Sequence, residues 1–511
     1  MAAIRTKTVS LNETFCCTSF EHQCESEATL PEYLPDISSI IRVDARPLLL
    51  SHTVKNGRAE LTGRVDCILL YSPGQGAMQS YCTRVPFTAE VPDCEFPEGA
   101  RCFGQVRMNT VLCRPLSGRK VSLKCAVLLT VQGEKTTECN LVDADAAKEA
   151  GLETLTETAF AARSLGQVTE EFSIEEMLEL PEDSPRMERI LKCDTDAWVK
   201  EQRAGAGRVV VGGELSVHSL YLRNVDTGET GQHKAAVPVN RVIELPGLLA
   251  EDVVAVDLTV SDSACGILED AAGEERILSC KVGITACVRV WRNQELVIVR
   301  DCYAGQEQAE VQMVRRPVET VLSSSACKLE ISDSFLPGES VTAVHAAEAF
   351  ADVRDCVAEG GQLRVRGDLL VSFLVTGLDG QVSGIDHIFP FDAACLPAGE
   401  GIQPGSCSAL CRLTGFSYQM AAGGAVFVSA QLECSLLAKS RGQLTALGQV
   451  TLTPMETKPT GHCLTLYYPE EGEPLWEIGK RYLAPLDVIR RTNGIEGDAV
   501  PAGMKMLMIE R

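Results

Sequence analysis

One pattern recurs three times along this chain and limits its fold more than any other feature. Leu30-Pro31-Glu32 with Pro35 returns as Leu180-Pro181-Glu182 with Pro185, and Leu336-Pro337 is a weaker third copy. Asp44 and Asp194 keep the same offset. Two glycines come next in each copy: Gly57 and Gly63, Gly207 and Gly213, Gly361 and Gly367. An apolar-Pro-apolar step follows at Val85-Pro86-Phe87, Val237-Pro238-Val239 and Phe389-Pro390-Phe391, and a second proline closes each copy at Pro92, Pro246 and Pro397. The offsets stay near 150 residues. A unit that long is a domain rather than a solenoid turn, so the chain reads as tandem domains.

Around the second glycine of each pair, every second residue is mostly apolar. The first copy runs Ala59, Leu61, Gly63, Val65, Cys67, Leu69, Tyr71. The second runs Val209, Val211, Gly213, Leu215, Val217, Ser219, Tyr221, and the third Leu363, Val365, Gly367, Leu369, Val371, Phe373, Val375. Period two over this length means a long strand with one face in a core. The interior glycine predicts a bulge or bend. The proline step predicts a strand start or an edge, because proline cannot donate to a ladder. Residues 152–165 have helical propensity, yet their place in the repeat predicts a strand, with 143–150 a linker or a short helix. The expected architecture is mainly β: three tandem β-sandwich or barrel-like repeats at 1–147, 148–305 and 306–457, then a small module at 458–511.

At 511 residues the chain suits three or four domains. Its net charge of −23 repels nucleic acid and anionic headgroups. The opening MAAIRTKTVSLNE lacks a signal-peptide core, and no stretch of eighteen apolar residues occurs, so neither secretion nor membrane insertion is expected. A cytosolic chain keeps its 22 cysteines reduced. No Cys-x-x-Cys pair exists, and the Cys407/Cys411 spacing has no histidine beside it, so no metal or cofactor is expected. Cys67 stands where Val217 and Val371 stand and reads as a small core hydrophobe, a reading that extends to Cys125 and Cys287.

The motifs of catalysis are missing. There is no phosphate-binding Gly-x4-Gly-Lys-Ser/Thr, no Gly-x-Ser-x-Gly and no His-Glu-x-x-His. The seven histidines are scattered, and His218 has Ile68 and Ser372 as counterparts. No catalytic residue is expected, and the chain reads as a non-enzyme.

After Pro459 the pattern changes to strand, helix, helix, strand. Leu464–Tyr468 reads as a strand and Glu471-Gly472-Glu473 as a turn. A helix opens at Pro474 with Leu475, Ile478 and Tyr482 on its buried face. A second helix opens at Ala484-Pro485, carries Leu486, Val488 and Ile489, and stops at Asn493-Gly494. Pro501-Ala502-Gly503 turns into a last strand. Gly472-Glu473, Leu475-Trp476, Ile478, Lys480-Arg481-Tyr482, Ile489, Asn493 and Pro501-x-Gly503 together resemble the LysM domain. That resemblance implies a groove for N-acetylglucosamine chains, lined by Gly472, Glu473, Pro474 and Leu475 and by Gly494, Ile495 and Glu496. Pro474 departs from the serine or threonine usual there. Trp476 lies off the buried stripe, which makes it either an exposed interface anchor or a residue packed on its own sheet or the preceding domain. Glu477, Lys480, Arg481, Arg490 and Arg491 form a polar rim or a solvated face.

The whole arrangement, with LPDISSIIRVDA at 34–45 and the Gly-Arg strand at 57–71, resembles SipL-type proteins, whose repeat is the SPOCS domain. The resemblance implies a spore coat morphogenetic scaffold on the mother-cell side of the forespore. Its implied partner is the coat morphogenetic ATPase, stage IV sporulation protein A, bound through the LysM-like module at Gly472, Glu473, Pro474, Leu475, Trp476, Lys480, Asn493, Gly494 and Ile495. The alternative is a peptidoglycan-binding protein that uses the same groove.

Overall fold

The computed structural model describes residues 2–338, 340–397, 402–421, 424–454, 463–470, 472–500 and 505–510, without the side chains of 2, 322–326, 396–397, 402–406, 463–464 and 507–510. The expected boundary at 457/458, Pro459, Glu471, Pro501 and Gly503 lie outside the described residues. The chain opens with β1 (Ala2–Ala3), β2 (Thr6–Thr29), β3 (Ser39–Lys55), β4 (Arg58–Ser72), β5 (Gln79–Glu90), β6 (Arg101–Ser117), β7 (Lys120–Val142) and the helix α1 (Ala144–Glu149). It continues with β8 (Leu152–Glu179), β9 (Arg189–Gly205), β10 (Arg208–Asn224), β11 (Glu229–Glu244), β12 (Val253–Glu269) and β13 (Glu275–Ala304). Then come β14 (Glu307–Phe335), β15 (Val341–Glu359), β16 (Gln362–Gly377), β17 (Val382–Pro397), β18 (Ile402–Met420) and β19 (Val426–Pro454). Last are β20 (Cys463–Tyr467), α2 (Leu475–Tyr482), α3 (Leu486–Asn493) and β21 (Met506–Glu510).

The protein is mainly β. Its antiparallel sheets run β2-β7-β6, β3-β4-β5, β8-β13-β12, β9-β10-β11, β14-β19-β18 and β15-β16-β17. Each core is shared by two sheets. Val65 and Cys67 of β4 meet Leu123, Cys125 and Val127 of β7. Leu215 and Val217 of β10 meet Cys280, Val282 and Ile284 of β13. Val365, Leu369 and Val371 of β16 meet Val428, Ala430 and Leu432 of β19. Alternation along the central strands turns the apolar set inward, giving layered sandwiches.

The glycines work through their neighbours. The register slips between Leu49 and Ser51 opposite Gly63, between Gly212 and Gly213 beside Val199, and between Val353 and Asp355 opposite Gly367. The bulge pushes a carbonyl of the adjacent strand against the glycine. A Cβ there would lie 2.5 Å from Leu48 O at Gly63, 2.6 Å from Trp198 O at Gly213 and 2.3 Å from Asp352 O at Gly367. The prolines Pro86, Pro238 and Pro390 all lie on edge strands, β5, β11 and β17, where the missing donor costs no ladder bond.

The Leu-Pro loops are held by arginines that no local pattern announces. Arg119 donates to Pro31 O at 2.6 Å and Leu34 O at 3.1 Å and pairs with Asp36 at 2.7 Å. Arg276 donates to Pro181 O and Ser184 O at 2.6 Å each. Leu336, in the weaker copy, is 74% exposed.

The longest strands outrun their sandwiches, and their outer halves pack together. Val9, Leu11 and Leu141, Ala161, Leu296 and Ile298, and Val318, Leu444 and Ala446 form one core drawn from all three strand pairs. At its edge Lys439 is buried against Glu134, and Glu319 accepts from Thr14 Oγ1 at 2.9 Å and Arg441 Nε at 3.2 Å. The N-terminal β1 pairs with β19, Ala2 opposite Leu452, so the start of the chain is tied to its third strand pair.

A second junction joins the sheets that carry Asp44, Lys192 and Glu348. Lys192 is buried and its Nζ lies 2.8 Å from Asp44, 2.7 Å from Asp194 and 2.7 Å from Glu348. Arg42 pairs with Asp44 at 2.5 Å and with Asp386 at 3.1 Å. A buried ammonium is tolerated when carboxylates complete its coordination.

Residues 144–149 form a short helix whose start is capped by Asp143, accepting from Asp145 N at 3.0 Å, and 152–165 is strand. Two cysteine expectations need correction. Cys287 is half-buried off the core face, because Ala286 and Val288 take the inward positions of β13. Cys411 and Cys434 are joined by a disulfide rather than free, since β18–β19 register sets them opposite each other.

Candidate functional site

The C-terminal module begins with β20 and ends with β21, paired antiparallel, with α2 and α3 between them in sequence. Leu475, Ile478, Ala484, Ile489, Ile495, Val500 and Met506 make its core. Leu475 and Ile478 are buried as their spacing implies, and Tyr482 is half-buried. Pro474 and Pro485 each stand one position earlier than expected. They are N-caps with extended ψ of 133° and 132°, and neither has a side-chain cap bond. Leu483 (φ 50°) and Gly494 (φ 66°) end the two helices in the left-handed region, which glycine occupies without steric cost and leucine does not.

The loop at 472–475 meets the chain at 498–500, just beyond the expected second loop at 494–496. Leu475 N donates to Asp498 O at 2.8 Å, Val500 N donates to Glu473 O at 3.1 Å, and Pro474 bridges Ala499. Gly472, Pro474, Gly494 and Glu496 are exposed, whereas Leu475 and Ile495 are buried in the module core. Asn493 Nδ2 donates back to Ile489 O at 2.9 Å, so this side chain helps close α3. Glu473 accepts from the Tyr467 hydroxyl at 2.9 Å and lies 3.4 Å from Arg481. Burial and the Glu473 charge both push the Tyr467 phenol up, so it stays a neutral donor to that carboxylate.

Trp476 and Lys480 do not belong to that seam. Trp476 is 7% exposed, and its Nε1 donates to Asp301 Oδ2 of β13 at 3.1 Å. Its ring meets Tyr303 at 5.1 Å between centroids. Lys480 Nζ reaches the same Asp301 oxygen at 2.5 Å, and Tyr303 donates its hydroxyl to Ala484 O at 2.8 Å. The exposed-anchor reading of Trp476 is therefore overturned. The tryptophan packs on β13, a strand of the middle sandwich and not of the one next before the module in sequence, because β13 runs past its own sandwich and offers a carboxylate and an aromatic ring. Asp301 and Tyr303 were not legible as site residues, since they end an ordinary alternating strand. Of the expected rim, Arg490 is tied to Asp498 at 2.8 Å and Asp487 at 3.5 Å, while Glu477, Arg481 and Arg491 are exposed.

A different constellation lies in the middle sandwich, where the thiols of Cys193, Cys265 and Cys280 converge from β9, β12 and β13. Sequence spacing carries no trace of it. Among the described residues no helix is long and apolar enough to cross a membrane. No curated protein and no solved structure matches the chain. The stretch from Gly166 in β8 to Leu268 in β12, five of the six strands of the middle sandwich, matches the family model described as SipL, SPOCS domain, and over residues 166–268 this chain is similar to SipL.

Proposed function

We propose that this chain is a non-enzymatic scaffold of spore coat assembly, made of three SPOCS-like sandwiches and a LysM-like module that captures the coat morphogenetic ATPase, stage IV sporulation protein A. The observation that carries the coat assignment is the match of residues 166–268 to the SipL SPOCS domain. The paired sheets on either side repeat the strand order of the matched unit, which supports reading them as further copies. Several copies on one chain raise the effective concentration at a multivalent coat surface, on the mother-cell side of the forespore.

The module's partner face is assigned to the loop of Gly472, Glu473 and Pro474, the loop of Gly494, Ile495 and Glu496, and the seam that the first makes with Asp498 and Ala499. Trp476 is taken up by Asp301, whereas Gly472, Pro474, Gly494, Glu496 and Asp498 are exposed. Pull-down of the ATPase by the full chain tests this. Reversing the exposed charges with Glu496→Lys and Asp498→Lys is expected to lower capture at least tenfold. Unchanged capture would remove the seam from the interface.

A second reading has one observation in its favour: the first of the two loops that line a LysM sugar groove is tied to the chain at 498–500, two residues beyond the second loop at 494–496. Calorimetry of the full chain with N-acetylglucosamine oligomers separates the readings. Heat of binding that the Glu496→Lys variant abolishes would make the module a glycan reader.

A further inference from the structure

The three thiols of the middle sandwich stand closer than packing asks. Cys193 Sγ lies 2.9 Å from Cys265 Sγ, and Cys265 Sγ lies 3.3 Å from Cys280 Sγ. All three sulfurs are within 4.8 Å of one another. They come from both sheets: Cys193 from β9 on one side, Cys265 and its cross-strand partner Cys280 from β12 and β13 on the other. Among the described residues this is the one place where three potential ligand atoms converge.

Filling the core does not explain them. In the first sandwich Val43 precedes Asp44 as Cys193 precedes Asp194, and Leu123 faces Cys113 as Cys280 faces Cys265. Valine and leucine fill the same kind of space there without sulfur. Around the thiols the core is apolar, with Leu178, Ile267 and Leu278 in the same cluster. Their sulfurs therefore have one another as polar partners.

We propose that Cys193, Cys265 and Cys280 form a binding site for one soft d10 cation, copper(I) or zinc(II), held between the two sheets of the middle sandwich. Metal–thiolate bonds of about 2.3 Å set sulfurs roughly 4 Å apart, so the triangle closes on a cation after opening by about 1 Å. Soft thiolates select these ions over hard ones. The donor set numbers three, because Glu176, opposite Cys280 on β8, is exposed and outside the triangle. A three-coordinate site suits copper(I), while zinc would take solvent as its fourth ligand. Bound, the cation would staple one sheet of the sandwich to the other and add its binding free energy to the folded state.

The test uses the reduced, metal-free full chain, titrated with copper(I) alone or zinc(II) alone and then dialysed. The comparison is the Cys193→Val/Cys280→Leu variant, which borrows the residues of the first sandwich. The wild-type chain is expected to retain one metal equivalent more than the variant, with copper(I) held more firmly. Equal retention of both ions by the two chains would overturn the site. A second measurement needs no variant. Alkylation of the wild-type chain, read by mass spectrometry, is expected to slow at least tenfold at Cys193, Cys265 and Cys280 when metal is present. The exposed Cys17 and Cys82 serve as internal controls. Equal alkylation of the trio with and without metal would overturn the proposal even if the variant failed to fold.

Discussion

The indole of Trp476 donates to the Asp301 carboxylate at 3.1 Å, and Lys480 converges on the same oxygen. This shared acceptor fastens the C-terminal module to β13. Asp301→Ala leaves the indole N–H without its partner at a buried contact, which costs about 1–3 kcal/mol. The expected result is faster hydrogen exchange in α2 and a larger radius of gyration by small-angle scattering, with the sandwiches unchanged. Unchanged exchange in α2 would show that Tyr303 alone holds the module.

Gly367 has no room for a side chain. A Cβ there would meet Asp352 O at 2.3 Å and Phe391 Cζ at 2.5 Å. Gly367→Ala is expected to cost about 1–3 kcal/mol in urea unfolding, through forced backbone and side-chain shifts. Gly338 has nothing within 4 Å of the same position, so Gly338→Ala is the control and stays within about 0.5 kcal/mol.

Lys192 is the cation that lets Asp44, Asp194 and Glu348 share one junction. Lys192→Met leaves carboxylates facing one another without it. Loss of one partner of a buried ion cluster typically costs about 3–5 kcal/mol, measured here as a lower urea midpoint.

The same junction predicts an acid response. Burial opposes ionisation of Asp44, but Lys192 and Arg42 outweigh it and hold its carboxyl below the ordinary value. A depressed carboxylate stabilises the fold above its unfolded value, near pH 4, and loses that contribution as pH falls through the folded value. Asp194 is pushed the other way by burial, to about 6, so its contribution falls as pH rises from about 4 toward 6. The stability difference between wild type and Asp44→Asn is therefore expected to be full at neutral pH and to shrink below about pH 4. A difference independent of pH would exclude Asp44 as the linked group.

Arg119 spans a loop that its planar fork can reach at several carbonyls. Arg119→Lys keeps the charge and loses the fork, so a loss of about 1.5–3 kcal/mol is expected. A midpoint within error of wild type would mean that the Leu30–Ile37 loop holds itself.

The sandwich interiors were legible because they obey a local rule. Alternation at 59–71 and its two counterparts named the core face, and the edge position of Pro86, Pro238 and Pro390 followed from a missing donor. Cys67 and Cys125 were read as core residues from register alone, and both are under 3% exposed. Cys287 was misread because a one-residue offset places a side chain on the other face of a strand. The ends of the two C-terminal helices were also legible, since Pro474, Pro485 and Gly494 set where the chain turns. The direction of Trp476 was not, because an off-stripe position says only that a residue leaves its own helix core.

The sequence by itself determined which face of each strand is apolar, where glycine and proline punctuate the chain, and that the pattern recurs. These are consequences of backbone geometry over a few residues. Only the tertiary structure decided which faces meet. It set Lys192 among Asp44, Asp194 and Glu348, gathered Cys193, Cys265 and Cys280, and turned Trp476 onto Asp301. Apart from Lys192 with Asp194, those contacts join residues from about fifteen to well over a hundred positions apart. Period two states that a side chain points inward; the neighbour it finds there depends on how sheets pair and pack, which no local spacing encodes.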